Sequence, residues 1–377
     1  MLQNLQHSVP ASIDLAVRVV VKIGTSSLTD TAGAIRREMI SALCDQVAAL
    51  HSDGCEVLVV SSGAVAAGVA ALGFATRPHD MTTLQAVSAA GQPRLMEVYN
   101  AELARHSIVG AQALVVPNDF IDRKQYLHAR QTLERLLELR AVPIVNENDA
   151  IAADEIRYGD NDRIAALVSH LLKADLLVLL TDTSGLYTAD PRIDPSALLV
   201  ERVAADDPIL SVSAGRSASG VGSGGMASKL DAARIASWSG VRAVIAHAER
   251  PNAVVDAVAG IAVGTTFEPH DRKLPARKLW IAFASAATGT LVVDEGAHRA
   301  MTQRNTSLLP AGVRQVIGTF EEGDIVEVNC AGRVFARGMI AVDAATARSI
   351  AGRRTVDLPS DVAHEIVHRD DLVLLPA

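Results

Sequence analysis

Residues 18–23 read Arg-Val-Val-Val-Lys-Ile, and Gly-Thr-Ser-Ser follows directly at 24–27. A short apolar run that ends in small residues is typical of a buried strand followed by a tight loop. Lys22 stands out within this run, because lysine is rarely buried without a partner. The ordinary explanation is that its ammonium group reaches solvent at the strand end. We favour a cation directed at phosphates, beside a glycine loop whose amides can approach them.

The same combination of apolar strand and polar loop recurs along the first two thirds of the chain. Stretches with helical periodicity separate the strands, which predicts a mostly parallel α/β sheet covered by helices on both faces. In such sheets, ligands bind at the carboxyl ends of the strands. Any one polar loop could be an ordinary turn, but together they predict a ligand site. These loops are Gly24–Ser27, Ser61–Ala64, Asn146–Asp149 and Thr181–Asp182.

Acidic and amide side chains are concentrated between the predicted strand that ends at Val145 and the helix predicted from Asp162 to Leu172. A solvated acidic loop is the simple interpretation. Because apolar strands flank this segment, we favour recognition of a small zwitterion. Carboxylates would face its ammonium group and asparagine amides its carboxylate.

Residues 220–229 read Gly-Val-Gly-Ser-Gly-Gly-Met-Ala-Ser-Lys. The spacing matches G-x-G-x-x-G, but a dinucleotide fingerprint needs a strand directly before it, and the preceding residues resemble a loop. The P-loop pattern fails, because Lys229 does not directly follow a glycine. A flexible surface loop is the other explanation. We favour a phosphate-binding loop with Lys229 at the start of a helix predicted from Ser228 to Ser239.

The composition limits the classes of protein that remain. A chain of 377 residues favours two domains. Its 35 basic and 43 acidic residues give a net charge of −8, which argues against a nucleic-acid partner. Three cysteines without metal spacing indicate a reducing, cytoplasmic compartment rather than a disulfide framework or a zinc site. No signal peptide or membrane-spanning run is recognisable.

Changes in composition predict the domain organisation. A polar, proline-bearing stretch near residues 268–276 precedes a region of short strands with glycine turns. We therefore predict a polar leader over 1–15, an α/β domain over 16–270, a linker over 271–287 and a small β-rich domain over 288–377.

Seven segments, taken together and in order, resemble the amino acid kinase family. The resemblance covers nearly the whole chain, and the part after Thr288 resembles the PUA domain that many such kinases carry. Ser61 and the pair Ala227-Ser228 depart from the family pattern, but both departures keep small side chains. The segments are Val21–Ser27, Val60–Gly68, Ala89–Pro93, Val145–Asp149, Gly159–Asp162, Leu180–Tyr187 and Gly222–Lys229.

Within that family, the resemblance implies ATP-dependent phosphorylation of the side-chain carboxylate of L-glutamate, the first step of proline biosynthesis. Kinases of the same family that act on acetylglutamate, aspartate, carbamate or UMP are the nearest alternatives. RNA binding through the PUA-like domain is another, since PUA domains often bind RNA. From Trp280 onward, however, nine arginines and no lysine stand against twelve acidic residues, which argues against RNA. An oligomerisation or regulatory role is the simpler alternative for this domain.

The resemblance, together with the need to neutralise charge in phosphoryl transfer, assigns roles to individual residues. Lys22 and Lys229 would be catalytic cations, and Asp162 would hold them in place. Mg²⁺ would be held mainly by the phosphates of ATP. Glutamate would be bound by Ser62, Asp149 and Asn161. The residues expected to bind ATP are Lys22, Thr181, Asp182, Ser223, Gly224, Gly225, Met226, Ala227, Ser228 and Lys229.

The partners follow from the resemblance as well. It implies a homo-oligomer, feedback inhibition by proline, and transfer of the labile acyl phosphate to a glutamyl-phosphate reductase. No inhibitor site is recognisable in the residues themselves.

Overall fold

The computed structural model describes residues 17–30, 34–120, 122–151, 160–205, 207, 209, 224–271, 273–284, 287–354, 356 and 364–375. The first part of the described chain contains an eight-stranded sheet. Its strands are β1 (Arg18–Ile23), β2 (Glu56–Ser61), β3 (Gly110–Val115), β4 (Val142–Glu147), β5 (Leu176–Thr181), β6 (Arg202–Val203), β7 (Arg242–His247) and β8 (Gly264–Phe267).

The strand order is β3–β4–β2–β1–β5–β7–β8–β6, and every pairing except that of β7 with β8 is parallel. The strands β1, β2, β4 and β5 lie side by side in the middle of the sheet, so the four polar loops predicted from the sequence lie at one edge. The predicted α/β sheet is therefore confirmed.

Helices cover both faces of this sheet. They are α1 (Thr25–Leu28), α2 (Arg37–Ser52), α3 (Ala64–Ala71), α4 (Met81–Ala104), α5 (Arg123–Glu138), α6 (Asp160–Leu171), α7 (Gly224–Trp238) and α8 (Ala253–Val258). One apolar core contains residues of α2, α4 and α8, and the other contains residues of α5, α6 and α7. None of the helices in the described ranges has the length and hydropathy needed to span a bilayer.

The alternation of side chains along β1 decides where Lys22 points. Val19, Val21 and Ile23 belong to the core with α2 and α4, whereas Val20 belongs to the core with α6 and α7. Successive side chains of a strand point to opposite faces. Lys22, two residues after Val20, therefore faces α6 and α7.

The starts of α6 and α7 differ from the sequence-based prediction. The α7 helix begins at Gly224 rather than at Ser228, and α6 begins at Asp160 rather than at Asp162. Glycine has a low helix propensity, which is why the glycine-rich segment was predicted as a loop. The ammonium group of Lys229 donates to the carbonyl oxygen of Gly225, and this contact supports the first turn. The short elements α1, α8, β6 and β8 were not predicted, and α1 covers most of Gly24–Ser27, which was predicted as a loop.

The C-terminal region forms a second, five-stranded sheet with its own core. Its strand order is β10–β9–β11–β12–β13, and the predicted β-rich domain is confirmed. The elements are α9 (Ala276–Leu279), β9 (Gly289–Val293), α10 (Glu295–Arg304), β10 (Val313–Gly318), β11 (Ile325–Cys330), β12 (Arg333–Met339), α11 (Ala344–Ile350) and β13 (Leu372–Leu374).

The stretch predicted as a linker, 271–287, contains packed structure. The helix α9 and the π-helical turn Trp280–Ala284 lie within it, and Leu279 and Ile281 are buried. Both side chains belong to the apolar core that contains α6 and α7. From the second sheet, Arg337 donates a hydrogen bond to the carbonyl oxygen of Ala282 at 3.2 Å. The exact limits of the two domains stay a prediction.

The helices α3 and α4 pack so closely that only glycine fits at their contact. A Cβ atom at Gly68 would lie 1.8 Å from the carbonyl oxygen of Val87, and one at Gly91 would lie 1.8 Å from that of Ala64. This contact fixes α4 against the segment that follows β2.

We expect Gly91→Ala to lower the free energy of unfolding by about 1–3 kcal/mol or more, because the methyl group would overlap backbone atoms that cannot move independently. Chemical denaturation measures the change. Gly296→Ala in α10 is the control, since among the described residues its added Cβ would meet only the Asp294 carboxylate, at 3.2 Å. Equal stability of the two variants would contradict the tight contact.

Candidate active site

One carboxylate holds two lysines at the carboxyl end of β1. The Nζ atom of Lys22 lies 2.6 Å from Oδ1 of Asp162, and Nζ of Lys229 lies 3.3 Å from Oδ2 of the same residue. Only 4% of Lys22, 8% of Lys229 and 1% of Asp162 is exposed. The structure thus brings together the three residues that were predicted as catalytic.

Lys22, Asp162 and Lys229 form what we call the lysine cluster. Within it, burial and the neighbouring charges shift the pKa values of Lys22 and Asp162 in opposite directions. Burial favours the neutral form of Asp162, but the two ammonium groups outweigh it and hold the pKa of this carboxyl below its usual value. Burial lowers the pKa of Lys22, and Asp162 opposes that shift. Asp162 is therefore ionised at neutral pH and offsets part of the repulsion between the lysines.

The lysine cluster borders positions where the backbone carries no side chain. A Cβ atom at Gly24 would lie 3.3 Å from Nζ of Lys22, and a Cβ atom at Gly225 would meet no described residue within 4 Å. Ser228 donates a hydrogen bond to Oδ2 of Asp162 at 2.7 Å. Glycines at these two points leave room for a ligand next to the ammonium groups.

Apart from Lys22 on β1, the predicted nucleotide-binding residues lie in two places. Gly224, Gly225, Met226, Ala227, Ser228 and Lys229 form the first two turns of α7 rather than a loop. Ser223 lies outside the described residues. Thr181 is the last residue of β5, and its hydroxyl donates to the carboxylate of the exposed Asp182 at 3.0 Å. The free amides of a helix N-terminus favour anions, so the helical start of α7 is compatible with phosphate binding.

Asn161 connects the ends of two strands. Its amide nitrogen donates to Oγ of Ser62 at 3.1 Å, just after β2, and to Oδ1 of Asn146 at 3.0 Å, at the end of β4. Asn161 also directly precedes Asp162 in α6. This bond network places the polar groups after β2 and β4 beside the lysine cluster. Asn146 was part of the predicted polar segment, but its link to Asn161 was not foreseen.

Asp149 is held by a residue that sequence reasoning missed. Ser88 of α4 donates a hydrogen bond to Oδ2 of Asp149 at 2.7 Å, and both residues are buried. Burial raises the pKa of Asp149, while the Ser88 hydroxyl and the charge of Arg77 oppose the rise. A lone serine in an alanine-rich helix gives no signal of a partner 61 positions away.

A second ion pair joins the two helices that carry the lysine cluster. Arg163 of α6 lies 3.2 Å from the carboxylate of Asp231 in α7, and Asp231 also pairs with Arg234 at 2.7 Å. Asp231 is 3% exposed. Arg163 directly follows Asp162 in α6, and Asp231 lies two residues after Lys229 in α7. The ion pair therefore limits sliding of α7 along α6 next to the lysine cluster.

The described side chains near the cluster form no protein metal centre. Among the residues that the structure describes, no group of three His, Cys, Asp or Glu side chains is arranged to hold a metal ion. Both carboxylate oxygens of Asp162 already face lysines. A Mg²⁺ ion at this site would therefore take most of its ligands from a bound polyphosphate and water, as Mg²⁺ commonly does.

We expect Asp162→Asn to lower the free energy of unfolding by about 3–5 kcal/mol, because it leaves two buried ammonium groups without their counter-charge. Denaturation at neutral pH measures the loss. Glu138→Gln is the control, since Glu138 forms an exposed pair with Arg135 on α5 and such pairs contribute little. An Asp162→Asn protein as stable as this control would contradict the role of the carboxylate.

Comparison with known proteins identifies the family. The model of the amino acid kinase family matches residues 17–247, and that of the PUA domain matches residues 289–361. The chain is 46% identical to the glutamate 5-kinase of Thermobifida fusca over 372 residues, which cover 97% of this chain and 95% of the relative. It is 45% identical to the glutamate 5-kinase of Chromohalobacter salexigens over 365 residues, 96% of each chain.

A solved structure agrees with this assignment at the level of the fold. Carbamate kinase from Giardia lamblia, bound to AMP-PNP, superposes with a TM-score of 0.50 at 17% identity, covering 67% of this chain and 99% of that one. The chain belongs to the amino acid kinase family, is a close relative of the glutamate 5-kinases, and carries a C-terminal PUA domain.

Proposed function

We propose that this protein transfers the γ-phosphoryl group of ATP to the side-chain carboxylate of L-glutamate, giving ADP and L-glutamyl 5-phosphate. This reaction is the first step of proline biosynthesis from glutamate. The relatives named glutamate 5-kinase span nearly the whole chain at about 45% identity. The observation that carries the proposal is the pairing of Lys22 and Lys229 on the one carboxylate of Asp162.

The chemistry needs charge neutralisation rather than a general base. The side-chain carboxyl of glutamate has a reference pKa of about 4.3, so the nucleophile is already ionised at neutral pH. One of its oxygens forms a bond to the γ-phosphorus, and the bond from that phosphorus to the β,γ-bridging oxygen breaks. The barrier is the approach of an anion to an anion, and phosphoryl transfer of this kind depends mainly on positioning and electrostatics.

The lysine cluster is suited to that task. Two ammonium groups that share one carboxylate keep a net positive charge, and they are buried where electrostatic interactions are strong. Lys22 would face the phosphates beside Gly24, and Lys229 would face them from α7. Bound Mg²⁺ supplies a further positive charge on the phosphate oxygens.

Glutamate would bind on the β2–β4 side of the cluster. The carboxylate of Asp149 would pair with the α-ammonium group, and the Ser62 hydroxyl would donate a hydrogen bond to a substrate carboxylate oxygen. Asn161 would donate to the substrate after releasing one of its two present acceptors, Ser62 or Asn146. The bond between Asn161 and Ser62 holds these two donors together in the structure. The backbone connection from Asn161 to Asp162 would then set the distance between substrate and phosphate.

The direct test is ATP turnover with and without L-glutamate, followed by trapping with hydroxylamine. An acyl phosphate gives a hydroxamate, whereas UDP does not. We expect hydroxamate from L-glutamate and much less from N-acetyl-L-glutamate, L-aspartate or carbamate. Turnover that does not depend on L-glutamate, or UDP formed from UMP, would overturn the proposal.

We expect Lys229→Ala to lower kcat by roughly 10²- to 10³-fold while changing the KM for glutamate much less, because it removes one preorganised cation. Steady-state kinetics at saturating ATP measures both constants. Lys124→Ala is the control, since Lys124 is exposed on α5. A Lys229→Ala protein with wild-type turnover would remove Lys229 from the mechanism.

We expect Asp149→Ala to raise the KM for glutamate by roughly 30-fold or more, because truncating one partner of a desolvated charge pair is costly. The affinity for ATP, measured with a non-hydrolysable analogue, should stay near that of the wild type. Asp53→Ala, at an exposed position after α2, is the control. If only the affinity for ATP changed, the substrate assignment would be wrong.

The broader partners stay predictions. Proline feedback, assembly into a homo-oligomer and transfer of the product to a glutamyl-phosphate reductase follow from the resemblance alone. Co-purification with a reductase, or a coupled flux above that allowed by free diffusion, would support the transfer. The cytoplasmic location and the polar leader over 1–15 are predictions of the same kind, and the leader lies outside the described residues.

A further inference from the structure

We propose that Ser88 is a positioning residue for substrate binding, which aligns the Asp149 carboxylate for the α-ammonium group of the amino-acid substrate. This inference rests on the proposed function, because it assigns Asp149 to that ammonium group. It adds a residue of α4, far along the chain from the site segments, to the determinants of substrate affinity.

The direction of the Ser88 hydroxyl is the first observation. Serines in or at the end of helices commonly bond to the carbonyl four residues earlier, and Ser52, Ser169 and Ser239 do so here. Ser88 instead donates across 61 positions to Oδ2 of Asp149, at 2.7 Å. With 1% of its surface exposed, Ser88 has no water-accessible alternative.

The second observation is the rigidity of the helix that carries Ser88. The preceding residue, Val87, packs its carbonyl against Gly68 of α3, and Gly91, one turn later, packs against the carbonyl of Ala64. Ala64 begins α3 directly after the Ser61–Gly63 segment at the end of β2. The Ser88 hydroxyl is therefore fixed relative to the same loop that presents Ser62.

The third observation concerns the charge state of Asp149. Burial raises the pKa of this carboxyl, and the groups that oppose the rise are Ser88 on α4 and Arg77 in the α3–α4 connection. A carboxylate that pairs with an ammonium group must be ionised, and a hydrogen bond to the ionised form favours it. The Ser88 hydroxyl is hydrogen-bonded to Oδ2 of Asp149, and we assign Oδ1 of the same carboxylate to the substrate ammonium group.

The sign of the pH effect follows from these contacts. Protonation of Asp149 removes its attraction for the ammonium group, so glutamate affinity falls as the pH drops through the pKa of Asp149. Replacing Ser88 by alanine removes a donor to the ionised form and raises that pKa. The fall in glutamate affinity at low pH, which is the acid limb of the plot of log Kd against pH, should then move to higher pH. The expected shift is about one unit for the loss of a hydrogen bond to a charged group.

The experiment is calorimetric titration of L-glutamate into the full-length wild-type protein and into Ser88→Ala, from pH 5 to pH 8. We expect the acid limb of log Kd to shift upward by about one pH unit in the variant. At saturating substrates, kcat should remain within about twofold of the wild type, because Ser88 does not touch the lysine cluster. Ser169→Ala is the matched control, a buried helical serine bonded to its own helix, and should leave the limb in place.

Two further variants separate positioning from general stability. In an Asp149→Asn background the side chain no longer titrates, so adding Ser88→Ala should change glutamate affinity by less than about twofold. Ser88→Cys keeps a similar size with a weaker donor and should give an intermediate shift, and it replaces the alanine variant if that one does not fold.

The outcomes are distinct from those that test the proposed function. If the wild-type protein shows no glutamate-dependent turnover, the proposed function fails. If the wild type turns over and the acid limb of Ser88→Ala coincides with its own, only the role of Ser88 fails. An equal loss of affinity from Ser88→Ala in the wild-type and in the Asp149→Asn backgrounds would also overturn that role, because the effect would not pass through the carboxylate.

Discussion

The contact on which the site depends is the carboxylate of Asp162 between two buried ammonium groups. Two ammonium groups at less than one-tenth exposure repel each other, and burial lowers the pKa of Lys22, since it disfavours the charged form. Asp162 offers one oxygen to each, at 2.6 Å and 3.3 Å, and places a negative charge between the two ammonium groups. The cluster keeps a net positive charge, which is the property that a phosphoryl donor and an anionic acceptor both require.

The sheet explains why these residues meet. Alternation along β1 turns Lys22 to the face covered by α6 and α7, and those helices bring Asp162 and Lys229. Parallel neighbours place the ends of β2, β4 and β5 at the same edge, so substrate and nucleotide groups converge there. The second ion pair between α6 and α7, Arg163 with Asp231, braces the cluster. The C-terminal sheet packs onto the same core through the 276–284 segment.

Much of this arrangement could be predicted from the sequence, and the exceptions have physical causes. An unexpected lysine in an apolar strand, together with polar residues after four strands, was sufficient to predict a ligand site at the edge of the sheet where these strands end. The start of α7 was misplaced, because glycine-rich sequence indicates a loop and only contacts made in three dimensions, such as those of Ser228 and Lys229, stabilise its first turn. Ser88 could not be predicted, since local sequence carries no record of a partner 61 positions away.

The measurement that tests the account most directly is a double-mutant cycle on kcat with Lys22→Met and Lys229→Met, at saturating ATP and L-glutamate. Each replacement should lower kcat by roughly 10²-fold or more. The loss of kcat in the double variant should be far smaller than the product of the two single losses, because the effects of groups that act as a unit on one phosphate are not additive. Wild-type kcat in either single variant, or losses that simply multiply, would contradict the convergence of both lysines on one nucleotide.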